Sequence, residues 1–155
     1  MPSEENLAEE VVVVPDREIE ALGRLLRAEL VAAVVYRRVT RVIHDGDLLP
    51  MLLENSQSHQ ERVQLLRDLV FANGGTPEDH PGAGRGYADQ IAAAASMGPK
   101  AVLVALVQLE NQCLRLYRRD LERLEVRTRF VVERALLPAQ WLSGDTISAL
   151  LNFVH

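Results

Sequence analysis

AELVAAVVY (residues 28–36) and QLENQCLRLY (residues 108–117) repeat one device: an acid, Glu29 or Glu110, seven residues ahead of a tyrosine, Tyr36 or Tyr117. In each stretch the flanking apolar residues recur at three- and four-residue spacing, so the acid falls on the apolar face of a helix. Leu26 and Ala33 bracket Glu29, and Leu106 and Leu114 bracket Glu110. A helix with such a face buries it, and the carboxylate goes inward with it. An ionised carboxylate in an apolar interior costs several kcal/mol unless a cation or full hydrogen bonding offsets it. Two acids at matching places in the two halves of a chain point to a shared polar centre, and a metal site between paired helices is one such centre.

The remainder of the chain reads as helices around that centre. Pro15 and Asp16 open a first helix, whose face carries Ile19, Leu22, Leu26, Ala33, Tyr36 and Ile43. Asp45, Gly46 and Asp47 make a turn, and a second helix spans about Leu49 to Asn73 with Leu49, Leu52, Ser56, His59, Val63, Leu66 and Val70 in line. Ser56 and His59 thus interrupt an apolar seam. Gly74 and Gly75 stop this helix, residues 76–86 read as a surface loop, and Ala-rich Tyr87–Met97 predicts a short helix within the connection. Pro99 starts a third helix, with Leu103, Leu106, Glu110, Leu114, Tyr117 and Leu121 on one face. A turn near residues 123–126 leads to a fourth, with Val126, Phe130, Glu133, Leu137, Gln140, Gly144, Ile147 and Leu151 on its seam and a kink expected at Pro138. Ser143, Gly144 and Asp145 offer a stop there, so residues 146–154 read equally as its last turns or as a fifth helix. Residues 1–15, with the β-prone run Val11–Val14, read as a flexible arm, and residues 16–155 as one bundle domain.

Composition narrows the classes. The chain has 155 residues and a net charge of −5, with 48% hydrophobic and 5% aromatic residues, which suits one Ala/Leu/Val helical core. The acidic balance argues against nucleic acid as a partner. Cys113 is the only cysteine, so no intrachain disulfide forms and a reducing cytoplasm is expected. No signal peptide is visible, and the apolar runs are too short to span a bilayer. Gly82, Gly84 and Gly86 have neither the preceding strand nor the spacing of a phosphate-binding loop, and no Gly-x-Ser-x-Gly elbow occurs. Trp141, Phe153 and the apolar tail 147–154 mark a contact surface, and a homo-oligomer or a protein partner docked on helix faces is expected.

GluLeuValAlaAlaValValTyr (29–36) and GluAsnGlnCysLeuArgLeuTyr (110–117), with the Gly74-Gly75-x-Pro77 end of helix two and Leu136-Leu137-Pro138, resemble the ferritin-like superfamily of rubrerythrins and bacterioferritins. Nearest is a small bacterial ferritin-like family of unassigned function, and the likeness covers about residues 16–151. It implies an all-α, antiparallel four-helix bundle with a long crossover between helices two and three. It also implies a di-iron site built from one Glu on each of helices one and three and a Glu-x-x-His on each of helices two and four. Glu29 and Glu110 match the first pair. Ser56-x-x-His59 keeps only the histidine, and Gln140-x-x-Ser143 keeps neither ligand. A haem is not expected, because no methionine lies on the helix-two seam beyond its first turn.

The resemblance therefore implies a reduced metal set of Glu29, His59, Glu110 and Gln140 for a single iron, manganese or zinc ion. Tyr36, Tyr117, Ser56 and Arg62 would surround it; Glu133, about two turns before Gln140 on the same face, is a weaker candidate because its depth in the bundle does not match. The alternative is a non-catalytic scaffold or interaction protein that has lost the site. In that case the two acids and His59 hydrogen-bond one another, and Arg62, one turn beyond His59, neutralises a carboxylate. Without a metal, Glu29→Gln or Glu29→Leu is then expected to be neutral or stabilising.

Overall fold

The structure, a computed structural model, describes residues 16–82 and 84–154. The 1–15 arm with its Val11–Val14 run lies outside the described residues. The described residues are all-α as the periodicity predicts: α1 (Arg17–Val42), α2 (Leu49–Ala72), α3 (Gly84–Ala93) running into a 3₁₀ turn (Ala94–Met97), α4 (Pro99–Leu121), α5 (Val126–Val131), a π turn (Val132–Leu136) and α6 (Leu137–Phe153). No described helix is long and apolar enough to cross a membrane.

Local chemistry sets the ends. Asp16 caps α1 by accepting from the Glu18 N–H at 2.9 Å, with Glu18 and Glu20 in the first turn where the helix dipole favours acids. The Asp45 carboxylate accepts from the Asp47 and Leu48 N–H groups and so shapes the turn into α2. At the end of α2, Gly74 takes φ 85°, a left-handed conformation that costs glycine little. That turn lets the Gly75 N–H reach back to the Val70 carbonyl at 2.9 Å.

Contacts fix the directions. α1 and α2 run antiparallel, since Glu29 meets His59 and Tyr36 meets Asn55. α1 and α4 are antiparallel too, through Arg24–Asp120, Glu29–Tyr117 and Tyr36–Glu110. α6 runs against both α4 and α2, through Gln140–Glu110, Asn55–Ser143 and Arg62–Gln140. α2 and α4 therefore point the same way, and the chain between them, with α3 inside it, traverses the length of the molecule.

Two apolar clusters fill the interior. One gathers Val35, Val39, Leu52, Leu103, Leu106 and Ile147; the other gathers Leu22, Leu25, Leu66, Leu124, Val132 and Leu136. Glu29, Tyr36, His59, Arg62, Glu110, Tyr117 and Gln140 meet in the layer between them.

Several expectations are corrected. The crossover helix starts at Gly84, ahead of Tyr87. The choice left open at Ser143–Asp145 is decided: α6 continues unbroken to Phe153, so residues 146–153 are its last turns. The seam ahead of Pro138 is misread: Val126 and Phe130 are 82% and 55% exposed and Glu133 is exposed, while Thr128, Val132 and Leu136 are buried. Pro138 is the reason. An ordinary helix would press its ring against the Arg134 carbonyl, four residues back. The chain instead widens to a π turn at residues 132–136, where the Leu137 N–H reaches the Val132 carbonyl. The extra residue rotates everything N-terminal to it. Glu133 accordingly faces out and is no substitute ligand.

Candidate functional site

Four helices each deliver polar side chains to the layer between the apolar clusters. α1 supplies Glu29 and Tyr36, and α2 supplies Asn55, His59 and Arg62. Glu110 and Tyr117 come from α4, and Gln140 and Ser143 from α6; all nine are buried. Each sits where its own helix's apolar face points inward.

The imidazole of His59 lies between the two acids. Its Nδ1 meets Glu29 Oε2 at 2.6 Å, and its Nε2 meets Glu110 Oε1 at 2.8 Å. Ionised carboxylates only accept, so a ring facing one at each nitrogen is held doubly protonated. Tyr36 stacks on it with ring centroids 4.9 Å apart. Around the ring, Tyr117 donates to Glu29 Oε1 at 2.7 Å and Tyr36 donates to Glu110 Oε1 at 2.6 Å. Glu110 Oε2 accepts from Gln140 Nε2 at 2.7 Å and from Ser143 Oγ at 2.8 Å. The guanidinium of Arg62 completes the set: one nitrogen lies 3.2 Å from Glu29 Oε1 and donates to Gln140 Oε1 at 2.6 Å, and a second donates to Ser143 Oγ at 3.1 Å.

Two negative and two positive groups thus balance within one dry layer. Burial alone would push the Glu29 carboxyl up, but the charges of His59 and Arg62 and hydrogen bonds from His59 and Tyr117 hold it below the usual carboxylate value. Glu110 follows the same pattern, with burial offset chiefly by His59. Burial would lower His59, yet Glu29 and Glu110 together raise it above its ordinary value. Tyr36 and Tyr117 are raised well, first by burial and then by the adjacent acid, so both stay protonated and donate. Cys113, also buried, is raised well by burial and by the two acids, which keeps it an unreactive thiol.

The placed side chains do not fit a metal ion. The two carboxylates approach opposite nitrogens of one ring, so no single point lies in bonding reach of both acids and His59. Arg62 brings a second cation against Glu29, and Gln140 spends its oxygen on Arg62 and its nitrogen on Glu110. Among the described residues, no group of three or more His, Cys, Asp or Glu is arranged to hold a metal. Each carboxylate oxygen of Glu29 and Glu110 has a protein donor; the fully buried side-chain atom left without a partner among the described residues is Glu18 Oε1, near the start of α1.

Of the residues singled out from sequence, Glu29, His59, Glu110, Gln140, Tyr36, Tyr117 and Arg62 come together. Ser56 does not: it is buried, but its hydroxyl only accepts a 3.5 Å contact from Gln60. Asn55 was not foreseen, although it bridges Tyr36 Oη at 3.2 Å and the Ser143 carbonyl at 3.0 Å. Its spacing of four from His59 along α2 is the available signal. A further buried acid, Asp120, was also unforeseen; Arg24, Arg119 and Arg123 pair with it away from this layer. No family model, curated protein or solved structure matches the chain.

Proposed function

We propose that the chain is a ferritin-like four-helix bundle in which protonated His59 and Arg62 stand where that superfamily keeps its metal, and that it serves as a non-catalytic scaffold or interaction protein. The helix directions and the long crossover through α3 support the ferritin-like topology. The carrying observation is the closed charge balance of Glu29 and Glu110 against His59 and Arg62, with each carboxylate oxygen occupied by protein donors. Such a centre holds four helices in register and leaves no open position for a substrate.

Metal analysis after anaerobic Fe(II) loading and desalting tests this directly. Wild-type protein is expected to retain far less than one iron per chain. One or two ions retained by wild type and lost in Glu110→Ala would overturn the reading. The interaction half rests on apolar side chains left exposed on the last helix and ahead of it, with Phe130, Leu142 and Phe153 at 55%, 70% and 83%. A second copy of the chain is the expected occupant. Light scattering should give a mass above the 17.3 kDa chain, reduced to it in Trp141→Glu/Leu142→Glu; a monomeric wild type contradicts this.

A second reading keeps a mononuclear iron, manganese or zinc site on Glu29, His59, Glu110 and Gln140. It is favoured by the convergence of those side chains from four helices on one layer. It requires the ion to displace the His59 proton and Arg62 and the two carboxylates to move to one ring nitrogen, so metal uptake would release protons and free the guanidinium.

A further inference from the structure

On the other face of α1 lies a cleft of about 530 Å³, lined by Val34, Arg37, Arg38, Arg41 and Val42 of α1 and by Arg85 and Ala92 of α3. That volume falls within the range of small-molecule sites. We propose that this cleft binds a compact polyanion, a diphosphate group either free or carried by a small organic molecule.

Four guanidiniums gather here in a chain whose net charge is −5. Arg38 is paired with Asp89, whereas Arg37, Arg41 and Arg85 have no carboxylate partner among the described residues. Concentrating unpaired like charges is unfavourable unless an anion joins them. Arg41 has an ordinary role, since a cation in the last turn suits the helix dipole. That role does not extend to Arg85, which arrives from a separate element. It is brought in by Gly84, where a Cβ would lie 2.2 Å from Val31 Cγ2, so only glycine lets α3 begin this close to α1. The planar guanidinium fork matches phosphate oxygens two at a time, and several forks around one space suit more than one phosphoryl group. Val34, Val42 and Ala92 add an apolar wall beside the charges.

Titration calorimetry at low salt is the test, with inorganic pyrophosphate and ADP as separate ligands and sulfate at matched ionic strength as the control anion. Saturable one-to-one binding of either diphosphate, tighter than sulfate, is expected, and the tighter of the two identifies the free or the carried group. Arg37→Ala/Arg85→Ala, both on the surface, should weaken it at least about tenfold. The control Arg115→Ala/Arg127→Ala, also exposed but outside the cleft, should leave it unchanged. Absence of saturable binding, equal affinity for sulfate, or equal weakening by the control pair would overturn the proposal.

Discussion

Arg62 is the residue on which the interior turns. It is 3% exposed and reaches Glu29, Gln140 and Ser143 together, so its loss strands an acid in a dry layer. Removing one partner of a buried ion pair costs about 3–5 kcal/mol, whereas removing both with similar volume is near neutral. Arg62→Met should therefore lose about 3–5 kcal/mol in urea unfolding, and Arg62→Met/Glu29→Gln should recover to within about 1 kcal/mol of wild type. If the double variant is no better than the single, the pair is not coupled as placed. The same logic revises the expectation that Glu29→Leu alone is harmless without a metal. Two cations would then face Glu110, and the single variant should be destabilised. The acids, the tyrosines and His59 were legible because each is a polar residue on an apolar seam. Arg62 was legible only as an option, because a long basic side chain beside a seam usually points its charge to water. Asn55 was missed because one face of a helix is wider than a single line of positions.

At the scale of elements, α1, α2 and α4 follow from periodicity, from the Asp16 cap of α1 and from the prolines that open α2 and α4. The last helical run does not, because its register depends on a widened turn. Pro138 signals a disturbance, but a kink and an inserted residue look alike in sequence, and only the second moves Val126, Phe130 and Glu133 to the surface. α3 was foreseen as a short helix, though its contact with α1 was not, since nothing local says that Gly84 must touch Val31. Gly84→Ala should push α3 off α1, at a cost of about 1–3 kcal/mol for overpacking. Hydrogen exchange of the α3 amides should speed up while that of α1 and α4 stays unchanged. Unaltered exchange in α3 would mean that the contact can give way freely.

For the whole molecule, the buried charges set a pH window. The folded acids titrate below their ordinary value of 4.5, so the stability they lend is complete above that pH and is lost as pH falls through their lowered values. His59 titrates above its ordinary 6.5, so its share is complete below that pH and is lost as pH rises through the raised value. Unfolding midpoints should be highest between about 4.5 and 6.5 and fall on both sides. His59→Gln should abolish the alkaline decline; a wild-type profile flat from pH 6 to pH 9 would contradict the linkage. The most direct measurement of the account is the ¹⁵N spectrum of the His59 ring at pH 7, before and after excess Zn(II). A doubly protonated imidazolium, unchanged by zinc, is the predicted result. A neutral ring would contradict the ion-paired interior, and a ring that sheds its proton as zinc binds stoichiometrically would show that the interior is a metal site.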